Sequence, residues 1–303
     1  MQDIEKDKKS KDYNLGLTLG LLCYFIWGIL PAYWKLGKHI SSLAVLSHRV
    51  IWSFVFVSLL LFIMKEHKNL IEPIRDKKNI ISLILASVII SINWGTYIWA
   101  IVSGHMIEAS MGYYINPLIV SLFSVIFFKE KMTKVKLISV MLAFSGVFIM
   151  IYQYHKIPYV ALTLAISFAC YGVIKKRLQM SAFVSLFYET LFLLPIALGY
   201  SLYIETVNES IFLSSAGNVL FLMGAGIVTS VPLLLFAASA KRIHFSTLGF
   251  MQYLAPTMTL LMGVLIYLEP FKTSHFITFG LIWMGLIVYS MPHIITIYNK
   301  NHS

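Results

Sequence analysis

Ten apolar runs, each close to 20 residues long, take up most of this 303-residue chain. A hydrocarbon core about 30 Å thick needs roughly 20 apolar residues of helix to cross it. No water is available at that depth, so a spanning segment must satisfy its own backbone hydrogen bonds, which selects helices. The runs lack the strict alternation of an outer-membrane barrel. The expected helices cover about 15–34, 42–64, 79–102, 106–128, 134–153, 157–174, 181–204, 217–240, 245–268 and 274–297. Only short loops remain, and no soluble domain fits between them. Composition points the same way: 58% of residues are hydrophobic and 12% charged, where a soluble chain carries about a quarter charged residues.

The short polar segments fix a topology. Residues 1–13 mix lysines with acids and are expected to form a disordered cytoplasmic tail. The first apolar run is long enough to span and no small-residue cleavage site follows it, so it reads as a helix and not as a removable signal. With the N-terminus inside, 19 of the 24 Lys and Arg fall in inside segments and four, Lys35, Lys38, Lys156 and Lys272, fall outside. Arg49 lies within a run. By the positive-inside rule both termini are cytoplasmic, the helix count is even, and the loop near 205–216 is extracellular. The net charge of +11 is explained by these loops and not by nucleic acid. Cys23 and Cys170 sit inside apolar runs and read as small buried residues.

The chain also repeats itself. A shift of 139 positions brings His105 onto His244, Tyr114 onto Tyr253, Pro117 onto Pro256, Glu130 onto Glu269 and Gly146 onto Gly285, with Leu122, Val125, Ile138 and Leu142 also matched. A slightly larger shift places Trp27-Gly28 on Tyr171-Gly172. The repeats are 14–153 and 157–297, five helices each. Because five is odd, the second repeat enters the membrane from the opposite side. The fold class is therefore an all-α integral membrane protein of ten transmembrane helices in two inverted repeats. In secondary transporters so built, the substrate site lies near the midplane at the repeat interface.

The strings SHRVIWSF (47–54), INWGTYIWAI (92–101), MGYYINPL (111–118), RIHFSTLGFMQYLAPT (242–257) and LEPF (268–271) resemble the signatures of the RarD proteins. That group belongs to the EamA branch of the drug/metabolite transporter superfamily, and the resemblance runs from the first helix to the last. It implies two EamA repeats and movement of small organic solutes across the inner, or plasma, membrane.

Apart from Lys134 and Lys136 in the first turn of the fifth, three formally charged residues lie within the expected spans: Arg49, Glu108 and Glu189. Such residues usually face the bundle interior or water. The repeat alignment sets SHRV (47–50) on FYET (187–190), so Arg49 matches Glu189 with opposite charge. Two readings stand. In one, a polar cavity has Arg49 holding a substrate carboxylate and Glu189 a proton or an amine. In the other, both make structural contacts, with backbone carbonyls or with each other. Glu108, near the outer end of helix 4, reads as a hydrated mouth residue. Helix 3 carries Asn93 and Tyr97 on one face, with Trp94 beside them. Helix 4 carries Tyr113 and Asn116 one turn apart, next to Pro117, and the matched stretch of helix 9 carries Gln252, Tyr253 and Pro256. Proline in a spanning helix frees a carbonyl and permits a kink, and Tyr and Trp offer apolar faces with one hydrogen-bonding tip. These residues line a cavity or serve interhelical packing. Tyr24, Trp27 and Tyr171 are weaker candidates of the same kind. His105 and His244 read as helix-end contacts, and His48 is the better protonation candidate.

No G-x-x-x-x-G-K-[ST], H-E-x-x-H or G-x-S-x-G occurs, so a nucleotide motor, a zinc protease and a serine hydrolase all lack their marks. No selectivity-filter string suggests a channel. The expected function is a secondary transporter, an exporter of small organic metabolites or drug-like solutes working by alternating access. The alternative is a non-transporting receptor or assembly protein that keeps the fold. No enzyme activity, cofactor, metal or nucleic-acid partner is expected. The partners are the lipid bilayer and a small-molecule substrate, with room for proton coupling and for a homodimer.

Overall fold

The computed structural model describes residues 2–302 apart from 130, 155–156, 179, 208–210, 241 and 244–250. The described residues form helices and turns, with no strand among them. The helices are α1 (Gln2–Leu36), α2 (Ser42–Ile63), α3 (Lys77–Val102), α4 (Met106–Phe128), α5 (Lys134–Tyr154), α6 (Tyr159–Arg177), α7 (Ala182–Val207), α8 (Ala216–Ala240), α9 (Leu254–Leu261) and α10 (Thr273–His302). Nine of these are long and apolar enough to cross a membrane, and the tenth run appears as a shorter apolar helix over Leu254–Ile266. Part of the expected 245–268 helix, with His244, lies outside the described residues, as does Glu130.

Two helix boundaries depart from expectation. The segment expected as a disordered tail continues α1 back to Gln2. Residues 2–13 contain no Gly or Pro and set acids four places before lysines, as at Glu5 and Lys9, a spacing that supports helix. The end of α9 widens into a π-helical turn, Met262–Ile266, where the Tyr267 N–H donates to the Met262 carbonyl at 2.9 Å. Elsewhere the ends follow capping rules. Ser41 caps α2 by accepting from the Ala44 N–H at 3.2 Å, and Asp76 caps α3 by accepting from the Lys78 N–H at 2.9 Å.

Surface and core reverse the soluble pattern. Phe62, Ile196, Leu220 and Phe276 are each 70% exposed or more, an apolar exterior that suits lipid. Serines, threonines, asparagines, Arg49 and Glu189 are buried. Without a hydrophobic drive between helices in lipid, small residues and polar contacts hold such a bundle together.

The packing pattern carries the internal symmetry. If helices 1–5 are exchanged with 6–10, the main inter-repeat packing pairs map onto one another: α1 with α8 onto α6 with α3, α1 with α9 onto α6 with α4, and α2 with α8 onto α7 with α3. The pairs α2–α7, α4–α9 and α5–α10 map onto themselves. Such exchange defines a two-fold relation. With five spans in each half, its axis lies in the membrane plane.

Candidate functional site

Helix α2 packs on α3, α7 and α8, and in its first half it buries Ser47, His48 and Arg49 in succession. Arg49 is only 7% exposed. Its guanidinium carbon lies 4.1 Å from the centre of the Trp94 ring and 5.2 Å from that of Trp34. Trp94 comes from α3 and Trp34 from the end of α1, so three helices build the cation's surroundings. Arg stays protonated in proteins, and insertion of such a charge costs about 2.5–3.5 kcal/mol at membrane depth. A cation–π contact offsets roughly 0.5–2 kcal/mol but satisfies no N–H donor. Nε of Arg49 is buried without a hydrogen-bond partner, and so is Nε1 of Trp34.

Two tyrosines complete this group. Tyr97 on α3 and Tyr113 on α4 meet edge to face with ring centres 5.5 Å apart, and both lie close enough to Arg49 to feel its charge. The Tyr97 hydroxyl lies near Thr259 of α9. The Tyr113 hydroxyl reaches the Asn93 side-chain carbonyl at 3.5 Å, a long contact. The structure thus gathers Arg49, Trp94, Tyr97 and Tyr113 at the junction of both repeats.

Asn93 and Asn116 serve packing. The Asn93 amide donates to the Leu164 carbonyl at 3.0 Å and to Ser167 Oγ at 2.9 Å. The Asn116 amide donates to the Ala165 carbonyl at 3.1 Å. Both tie the first repeat to α6 through carbonyls one residue apart. Gln252 and Tyr253 are not part of the Arg49 group. Gln252 lies beside Tyr253, whose ring stacks on Tyr114.

Glu189 forms a separate polar centre. It is fully buried and accepts from Lys175 Nζ at 2.9 Å, Ser185 Oγ at 2.6 Å and the Tyr171 hydroxyl at 3.0 Å. Arg49 and Glu189 therefore occupy matched positions on packed helices without pairing. Tyr171 and Lys175 lie one turn apart on α6, as do Ser185 and Glu189 on α7, so two i, i+4 pairs close on one carboxylate. Sequence reasoning found Glu189 and Tyr171 but counted Lys175 as a loop charge. The long lysine stem lets a residue near a helix end reach inward.

A third carboxylate, also missed, is Glu269. Its two oxygens accept from the Met106 N–H at 2.9 Å and the Ile107 N–H at 3.1 Å, capping α4 from the other repeat. Glu108, in the first turn of α4, lies near the start of α6 at Val160, and its Oε2 is buried without a hydrogen-bond partner. Helix N-termini carry partial positive charge and favour both acids. The remaining candidates pack. Tyr24 and Trp27 meet each other and Phe236, His105 stacks on Trp99, and His48 stacks on Phe212 while its Nε2 meets Ser201 Oγ at 3.2 Å.

Comparison with known proteins agrees with this architecture. The chain matches the EamA-like transporter family twice, over residues 14–152 and 156–291. It is 45% identical to the uncharacterized transporter YojE of Bacillus subtilis, over 92% of this chain and 94% of that one. It is 39% identical to protein RarD of Escherichia coli, over 95% and 97% respectively. A solved crystal structure with 16% sequence identity superposes with a TM-score of 0.59, covering 91% of this chain and 97% of the other, which shows a shared fold. Two family matches on two structurally exchanging halves, with relatives aligned nearly end to end, lead to one statement: this chain belongs to the EamA-like transporter family.

Proposed function

We propose that the protein is a secondary transporter of small organic metabolites or drug-like solutes, working by alternating access and exporting its cargo. It resides in the bacterial inner, or plasma, membrane with both termini cytoplasmic. The observation that carries the reading is Arg49, a buried cation without an acidic partner among the described residues, set among Trp94, Tyr97 and Tyr113 where the two repeats meet. A purely structural arginine at such depth would be expected to hold a carboxylate or a set of carbonyls. Asn93 and Asn116 position α3 and α4 against α6, and Gln252 and Tyr253 sit where the repeats must slide during exchange. Glu189, next to Lys175, is the residue that would take up a coupling proton. The names of the relatives, as transporters, support this reading.

The test is a solute screen on purified protein in liposomes, with and without an imposed pH gradient. Protein-dependent flux of at least one small organic solute is expected, faster when the gradient is present. No flux for any solute under either condition would overturn the transporter reading.

A further inference from the structure

We propose that the cargo is an organic monocarboxylate with a flat apolar body, and that Arg49 holds its carboxylate. The inference rests on the transporter reading above and adds the substrate class.

Charge accounting leads to it. Among the described residues, four carboxylates lie in or at the edge of the bundle, and none of them meets Arg49. Glu189 takes Lys175, Ser185 and Tyr171. Glu269 takes the Met106 and Ile107 amides and Glu205 the Ile211 and Phe212 amides, while Glu108, whose Oε2 has no hydrogen-bond partner, is not among the groups whose charge acts on Arg49. The neighbours that Arg49 does have, Trp34, Trp94, Tyr97 and Tyr113, are all neutral. The interior around Arg49 therefore holds one uncompensated positive charge, and one negative charge neutralises it. A phosphate monoester or a dicarboxylate would bring a second charge with no basic partner in this group.

Geometry narrows the class. A guanidinium stacks through its faces and donates hydrogen bonds in its plane. Trp94, at 4.1 Å, occupies a face, and in the plane of the guanidinium Nε is buried without a hydrogen-bond partner. A planar carboxylate matches such an edge with two parallel N–H donors. The adjoining surface is aromatic, so the body beside the carboxylate is flat and apolar.

The experiment compares each acid with its neutral amide on the same protein in nanodiscs, by tryptophan fluorescence and thermal shift. The probes are benzoate with benzamide, indole-3-acetate with indole-3-acetamide, and octanoate with octanamide. A flat acid is expected to bind at least ten-fold more tightly than its amide, as a charge-assisted bidentate contact implies. Arg49→Lys is expected to lose about ten-fold in acid affinity and Arg49→Ala about a hundred-fold, with a smaller loss for the amides, whose carbonyl accepts from Arg49 without a charge. The acid–amide comparison needs no variant, so a poorly folding Arg49→Ala leaves it intact. Equal binding of acids and amides, acid binding that survives Arg49→Ala, or no binding by any acid would overturn the inference. If the liposome screen then finds a neutral or cationic solute carried, the transporter reading stands without it. If nothing is carried, both fall.

Discussion

Tyr114 and Tyr253, the two members of one repeat pair, stack directly on each other with ring centres 6.1 Å apart and planes 11° from parallel. A residue can touch its own symmetry mate only near the axis, so this pair marks where the pseudo-two-fold passes through α4 and the start of α9. A second relation confirms it. Gly146 of α5 lies against Thr278 of α10, and Gly285 of α10 lies against Ser139 of α5. Each contact is the other moved by 139 positions and reversed.

That reciprocal contact is measurable. A Cβ on Gly146 would stand 3.0 Å from the Thr278 carbonyl oxygen, and one on Gly285 would stand 2.8 Å from that of Ser139. Gly146→Ala and Gly285→Ala are each expected to push α5 and α10 apart and cost about 1–3 kcal/mol. Gly280→Ala, on the same helix with nothing within 4 Å of the added carbon, is expected to be neutral or to stabilise by up to about 1 kcal/mol through helix propensity. Thermal unfolding of the three variants in detergent decides it, and equal melting temperatures would show that the helices are free to separate.

The Glu189 centre yields a coupling test. Removing Lys175 leaves a fully buried carboxylate with only hydroxyl partners. Breaking a buried pair from one side costs about 3–5 kcal/mol, while replacing both partners by neutral groups costs less. Lys175 is 24% exposed, so the lower end applies. Lys175→Met alone is expected to lower stability more than Lys175→Met combined with Glu189→Gln. A double variant less stable than either single one would mean that the two residues act independently.

The cap on α4 gives a third. Glu269 is buried, follows a left-handed Leu268 at φ 52°, and accepts from two amides of the other repeat. Glu269→Ala is expected to cost about 1–3 kcal/mol, since it leaves two buried amides unpaired. Glu269→Gln keeps one acceptor and is expected to cost less. Hydrogen exchange at Met106 and Ile107 should speed up in both variants, and unchanged exchange would show that the cap is not what protects them.

How much of this could be read beforehand follows from the range of each interaction. Helix α4 begins and ends where the apolar run does, at Met106 and Phe128, because span length is a local property. Leu268 repeats the backbone of Lys129, φ 52° and 54°, one repeat apart, and the Glu-Pro and Glu-Lys that follow carried part of the sequence match. Arg49 and Trp94 were legible as an isolated charge and an aromatic face. Trp34 was not, because only the packing of α1 brings it to Arg49. Lys175 was misplaced among loop charges because the length of its side chain, and not its position, decides where the ammonium sits. Asn93 and Asn116 lay on the expected faces, but sequence spacing does not distinguish a cavity wall from a helix whose carbonyls accept their amides.

The distribution of basic residues predicts the orientation of the chain in the membrane. Inside segments hold 19 of the 24 Lys and Arg when the N-terminus is cytoplasmic, against four outside. Basic residues resist translocation, so the α7–α8 loop should face outward and the α6–α7 loop inward. Ser214 and Ser181 are exposed residues of those two loops. In a chain with Cys23 and Cys170 replaced by Ala, Ser214→Cys is expected to react with a membrane-impermeant thiol reagent added to intact cells. Ser181→Cys is expected to react only after lysis. Cys23 is fully buried, and Cys170 partly so, so their replacement removes background labelling with little change in volume. The opposite pattern would turn the molecule over in the membrane: the Glu269 cap on α4 would then close the cytoplasmic side and the Lys175–Glu189 pair would face outward.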